Sequence, residues 1–142
     1  MALHRRAATA LVTAVLLSAA CGSTQAQPGS AAPAEIQAIP GSEAKEIRLT
    51  QQAADRLGVE SSVVVSTPAG TAVVPFKAIF YTADGQPWVY TSPERLAFRR
   101  VKVAVRSIAD GRAVLAPTLS AGTLVVVVGV PELYGAETGV GE

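Results

Sequence analysis

Between Val59 and Val128 the chain keeps returning to short runs of β-branched and aromatic residues, each closed by a glycine- or proline-bearing turn. That rhythm restricts the fold more than any other feature, because short runs at close spacing leave no room for long helices and read as strands of a small antiparallel domain. Phe98 to Arg106 is the clearest run: Val101, Val103 and Val105 point one way while Arg100, Lys102 and Arg106 point the other. Such alternation marks a strand with one core face and one wet face. Thr123 to Val128 does not alternate and is expected to be covered on both sides. The dipeptides Asp84-Gly85 and Asp110-Gly111 supply the positive φ that a tight hairpin connection demands. Across the first of these turns, Ile79-Phe80-Tyr81 comes within reach of Trp88 and Tyr90.

One helix is expected, and it is short. Glu46 to Leu49 alternates like a half-buried strand, Thr50 stands where an N-cap belongs, and Ala53, Ala54 and Leu57 follow at helical spacing. Gly58 is placed to end the turn in a left-handed conformation. Pro75, inside a strand-like run, marks an edge, a bulge or a strand start. The resulting expectation is a mainly all-β fold, a small β-barrel-like domain of about six or seven strands with one short helix.

The beginning of the chain has a different character. His4, Arg5 and Arg6 precede an uncharged stretch from Ala7 to Ala20, the layout of a secretory signal. The stretch is short for a membrane span, which takes roughly 20 apolar residues, and polar residues follow it at once. Leu17-Ser18-Ala19-Ala20-Cys21-Gly22 resembles the bacterial lipobox, whose cysteine receives a diacylglycerol, although Ser18 occupies the position where that pattern prefers an aliphatic residue. The resemblance implies lipidation at Cys21 and a protein tethered to the extracytoplasmic face of the cell membrane. Cleavage after Ala20 or Ala26, leaving a soluble secreted protein, is the competing reading. From Cys21 to Ala44 the chain is rich in Ala, Gly, Ser, Pro and Gln and reads as the anchor followed by a flexible linker. A coil of roughly 20 residues spans about 25 Å, enough to lift a domain off lipid headgroups. These boundaries leave 45–131 for one β-domain and 132–142 for a C-terminal tail.

Several chemistries lack their residues. His4 is the only histidine and lies in the signal, so the mature chain has no imidazole for a triad, a metal site or a pH switch. Cys21 is the only cysteine, which removes an intramolecular disulfide and, once assigned to lipid, a thiol nucleophile. No cofactor or catalytic residue is assigned, and the chain reads as a non-enzyme. Without the signal it carries ten basic against eleven acidic residues, a balance that does not point to nucleic acid. Six of those ten basic residues fall between Arg95 and Arg112, opposed there only by Asp110. Arg99, Arg100, Lys102 and Arg106 are therefore the candidates for contact with a partner or with acidic headgroups; the alternative is a solvated strand face that guards an edge against aggregation.

Ile47-Arg48-Leu49-Thr50 followed by Gln51 to Val59 resembles the opening of a domain in periplasmic adaptor subunits, or membrane fusion proteins, of bacterial efflux systems. Val74-Pro75, Ala78 to Tyr81, Asp84-Gly85, Trp88-Val89-Tyr90, Phe98 to Val103, Leu119 to Thr123 and Val125 to Gly129 follow in the order of the membrane-proximal β-domain of that family. The resemblance spans most of Lys45 to Tyr134 and implies a β-barrel-like unit resting against the extracytoplasmic part of a transporter. The lipoyl and α-helical hairpin domains of a full adaptor have no counterpart here. The function implied is an adaptor-like accessory lipoprotein of a transporter of the resistance-nodulation-division or ABC class. A stand-alone envelope lipoprotein that binds a small molecule, peptide or wall polymer is the other reading.

Overall fold

A computed structural model describes residues 32–139, so the signal segment and Cys21 lie outside the described residues. The fold is mainly β, as the sequence implies, with eleven strands in two open sheets that do not close into a barrel. The larger sheet is built from β1 (Ala34–Ala38), β2 (Lys45–Leu49), β8 (Ala97–Lys102), β7 (Pro87–Glu94), β11 (Leu124–Val128) and β3 (Glu60–Val63), neighbours in that order, and β6 (Phe80–Tyr81) also pairs with β7. The smaller sheet runs β4 (Val65–Ser66), β5 (Ala72–Pro75), β10 (Arg112–Leu115), β9 (Val105–Ala109). Every pairing is antiparallel.

Two cores lie on opposite faces of the larger sheet. Val89 and Val125 pack against Val74, Ala113 and Leu115 of the smaller sheet. On the other face, Ile47, Tyr90, Phe98 and Val126 are covered by Ala53 and Ala54 of helix α1 (Gln51–Leu57) and by Val130 and Leu133 of helix α2 (Val130–Thr138). Val125 and Val126 are neighbours in sequence and belong to different cores, which is why β11 does not alternate. Helix α1 forms as its caps dictate: Thr50 Oγ1 accepts from Ala53 N at 3.1 Å, and Gly58 closes the helix with φ +61°.

The structure departs from the sequence-based expectations in four places. Part of the expected linker is strand β1, paired with β2 from Ala34↔Leu49 to Ala38↔Lys45. The expected tail is largely α2, a second helix, entered through Pro131 and ended by Gly139. The expected strand from Phe98 to Arg106 is broken at Val103-Ala104: its first part is β8, and its last two residues begin β9 in the other sheet. Pro75 ends β5 and leads into a single 3₁₀ turn, Phe76–Ala78.

Candidate functional site

Strands β7 and β8 set the geometry of the charged groups. Their register places Trp88 opposite Lys102, Tyr90 opposite Arg100, and Thr91 opposite Arg99. Because side chains alternate along a strand, Arg100 and Lys102 share the helix-covered face with Trp88 and Tyr90, while Arg99 points to the opposite face.

On the helix side, Arg100 is drawn inward. Its guanidinium lies 4.4 Å from the centre of the Trp88 ring, and its Nε donates to Glu137 Oε1 at 2.8 Å. Its Nη2 also donates to the carbonyl of Glu43 at 3.1 Å. Glu137, in the last turn of α2, is only 2% exposed. Its carboxylate also accepts the Tyr90 hydroxyl at 2.5 Å and the backbone N–H of Lys45 at 2.9 Å, while Lys45 Nζ donates to the Glu137 carbonyl at 3.0 Å. Burial, reinforced by the neighbouring carboxylate, pushes the Tyr90 phenol above its ordinary pKa and keeps it protonated. Below this cluster Phe80 stacks on Tyr90 with ring centres 5.2 Å apart. The Glu137 carboxylate thus accepts from donors on three strands, two at Oε1 and one at Oε2. The cluster fixes α2 to the sheet.

On the opposite face, Glu46 is held between two arginines. Arg99 donates to its Oε2 through Nε at 2.9 Å and Nη2 at 2.6 Å, and Arg48 Nη2 lies 2.7 Å from Oε1. The Arg99 hydrogen bonds hold the Glu46 carboxyl below the usual carboxylate range. Arg48 in turn reaches Glu94 at 3.3 Å, and the Glu46 charge raises its own affinity for its proton.

Thus the four basic residues singled out from the sequence do not form one face. Arg99 is paired with Glu46 and Arg100 with Glu137; Lys102 Nζ stands 6.0 Å from the Trp88 ring. Arg106 belongs to the other sheet, at the bulge where the β9–β10 register passes from Val114↔Ser107 to Leu115↔Val105. The sequence reading missed Glu137, Glu46 and Lys45. For Glu137 a signal existed: Val130, Leu133 and Glu137 follow helical spacing, so a carboxylate occupies a core-facing position in what looked like a tail.

The outer face of the smaller sheet is different in kind. Val65 lies opposite Val73, and Val73 opposite Val114, on the side away from buried Ala72 and Val74. Val65 is 48% exposed, and Val73 and Val114 are half-buried. Arg112, opposite Pro75, borders this strip together with Asp110 and forms no ion pair among the described residues. Two concavities among the described residues are open grooves. One of about 820 Å³ lies between β1 and α2, and one of about 410 Å³ lies beside α1. Among the described residues no group of His, Cys, Asp and Glu side chains is arranged to hold a metal ion, and no helix is long and apolar enough to cross a membrane. No family model, no curated protein and no solved structure matches the chain.

Proposed function

We propose that the chain is a non-enzymatic, adaptor-like accessory lipoprotein, tethered through Cys21 to the extracytoplasmic face of the membrane, whose β-domain docks on a transporter of the resistance-nodulation-division or ABC class. The observation that carries this reading is the valine strip Val65–Val73–Val114 with Arg112, which forms no ion pair among the described residues, at its border. An apolar strip with a basic rim suits an acidic-rimmed protein surface, since the centre excludes water and the rim fixes orientation. The Glu137 carboxylate, by contrast, is buried and its Arg100 partner nearly so, which suits them to holding the fold. The order of motifs from Ile47 to Gly129 adds the resemblance to the membrane-proximal domain of periplasmic adaptors. Transport energy comes from the partner; the tether confines the domain to a thin layer and so raises its effective concentration there.

Co-purification from detergent-solubilised membranes tests the surface. Val65→Glu together with Arg112→Glu is expected to reduce recovery of the transporter subunit about tenfold, the effect of losing roughly 1.4 kcal/mol at an interface. Arg48→Ala, on the larger sheet, should leave recovery unchanged. Equal loss in both variants, or in neither, contradicts docking through the valine strip.

A further inference from the structure

Among the described residues, the free sheet edges differ in how they are protected. Strands β4 and β6 are two residues long; β3 carries Glu60 and pairs across a register shift; β9 carries Arg106 and a bulge. Short length, charge and bulges are the usual defences of an edge against pairing with another chain. Strand β1 has neither short length nor a bulge, and its single charge, Glu35, is bonded by Gln37 of the same strand. Its five residues, Ala34-Glu35-Ile36-Gln37-Ala38, are in unbroken register with β2 and contain no proline and no basic residue.

The direction of its free backbone groups follows from two hydrogen bonds. Thr50 N donates to Pro33 O at 3.1 Å, so Pro33 turns towards β2; Leu49 N donates to Leu96 O at 2.9 Å, so Leu49, opposite Ala34, turns away from β1. Alternation then directs Glu35 and Gln37 towards β2 and leaves the N–H and C=O groups of Ala34, Ile36 and Ala38 facing outward. We infer that β1 is a homodimerisation edge, pairing antiparallel with β1 of a second copy about a two-fold axis through Ile36.

That register is self-complementary. Ile36 pairs with the partner's Ile36 and Ala34 with the partner's Ala38, so every outward backbone group is satisfied in hydrogen-bonded pairs. Glu35 falls opposite the partner's Gln37, which brings an acceptor to an amide donor and sets no two like charges against each other. The same two side chains already bond within one copy, Gln37 Nε2 to Glu35 Oε1 at 2.9 Å. On the helix side Ile36 is 38% exposed and borders the groove of about 820 Å³ beside Pro131, Gly135 and Ala136 of α2. A second copy extends the sheet and covers that groove, whose small residues allow close approach. This surface is an edge of the larger sheet, whereas the valine strip lies on the smaller one, and the inference stands independently of transporter docking.

Sedimentation velocity of the full-length protein in mild detergent, across concentration, tests the inference. The wild type is expected to dimerise. Gln37→Glu, which sets Glu35 against a second carboxylate twice per dimer, should weaken dimerisation about tenfold, whereas Gln37→Lys should preserve or tighten it. Ile36→Pro removes the outward N–H at the two-fold axis while sparing the bonds of Glu35 and Gln37 to β2, and should give monomer. Circular dichroism establishes that each variant is folded, and the Gln37 pair decides the matter should Ile36→Pro unfold. A wild type that stays monomeric, or a dimer indifferent to the sign of charge at position 37, overturns the inference.

Discussion

Glu137 ties the fold together at a single side chain, because a carboxylate held by Tyr90, Arg100 and Lys45 joins a helix to three strands of the sheet. Glu137→Gln leaves Arg100 nearly buried beside a neutral group and is expected to cost about 3 kcal/mol of unfolding free energy in urea titration, within the range for breaking a buried pair. The phenol of Tyr90 gives an alkaline signature. Its pKa is raised in the fold, so its contribution is complete below about 10, the ordinary value for tyrosine, and declines as pH rises past it, when the unfolded chain releases the proton and the folded one does not. Tyr90→Phe should remove that decline from a plot of stability against pH. Glu46 acts at the other limb. With its folded pKa lowered by Arg99, it stabilises above the ordinary carboxylate range, and the effect fades as pH falls through the lowered value. Glu46→Gln should flatten the acid limb, and an unchanged limb would show that the pairing with Arg99 contributes nothing.

Elements explain what could and could not be read from the sequence. The hairpin at Asp110-Gly111 was legible because both residues take positive φ, +50° and +71°, a conformation few side chains tolerate. The α1 caps were legible for the same reason, since Thr50 and Gly58 have local chemistry that sets local backbone. Strand β1 was not, because its polar, alanine-rich segment becomes a strand only by pairing with β2, a non-local interaction that composition conceals. The break at Val103-Ala104 was hidden in the same way: Val103 N bonds to Pro87 O while Ala104 O accepts from Ala116 N, so adjacent residues serve different sheets and the valine alternation runs through unchanged. Gly129 shows tight packing at the entry to α2. It has φ +89°, and a Cβ there would sit 3.0 Å from Val59 Cγ2. Gly129→Ala is expected to destabilise by about 1–3 kcal/mol, read as a lowered melting temperature. The basic candidates came apart for a topological reason. Arg99, Arg100 and Lys102 are divided between the two faces of β8, and Arg106 lies in a separate sheet.

At the scale of the whole molecule, two open sheets and two short helices form a module whose buried carboxylates, Glu46 and Glu137, are each paired with an arginine, while Val65 stands exposed on the smaller sheet. The proposed anchor gives that module its address: Cys21→Ala should move the protein from the membrane fraction to the soluble fraction, and retention in the membrane fraction would contradict lipid tethering. The central claim is that the valine strip docks on a transporter, and site-specific photo-cross-linking in intact cells addresses it most directly. A photoreactive residue at Val65 is predicted to trap a subunit of a membrane transporter, while the same residue at Arg48 on the larger sheet traps none. Cross-links from Val65 that contain no transporter subunit, or transporter cross-links of equal strength from both positions, would contradict the account.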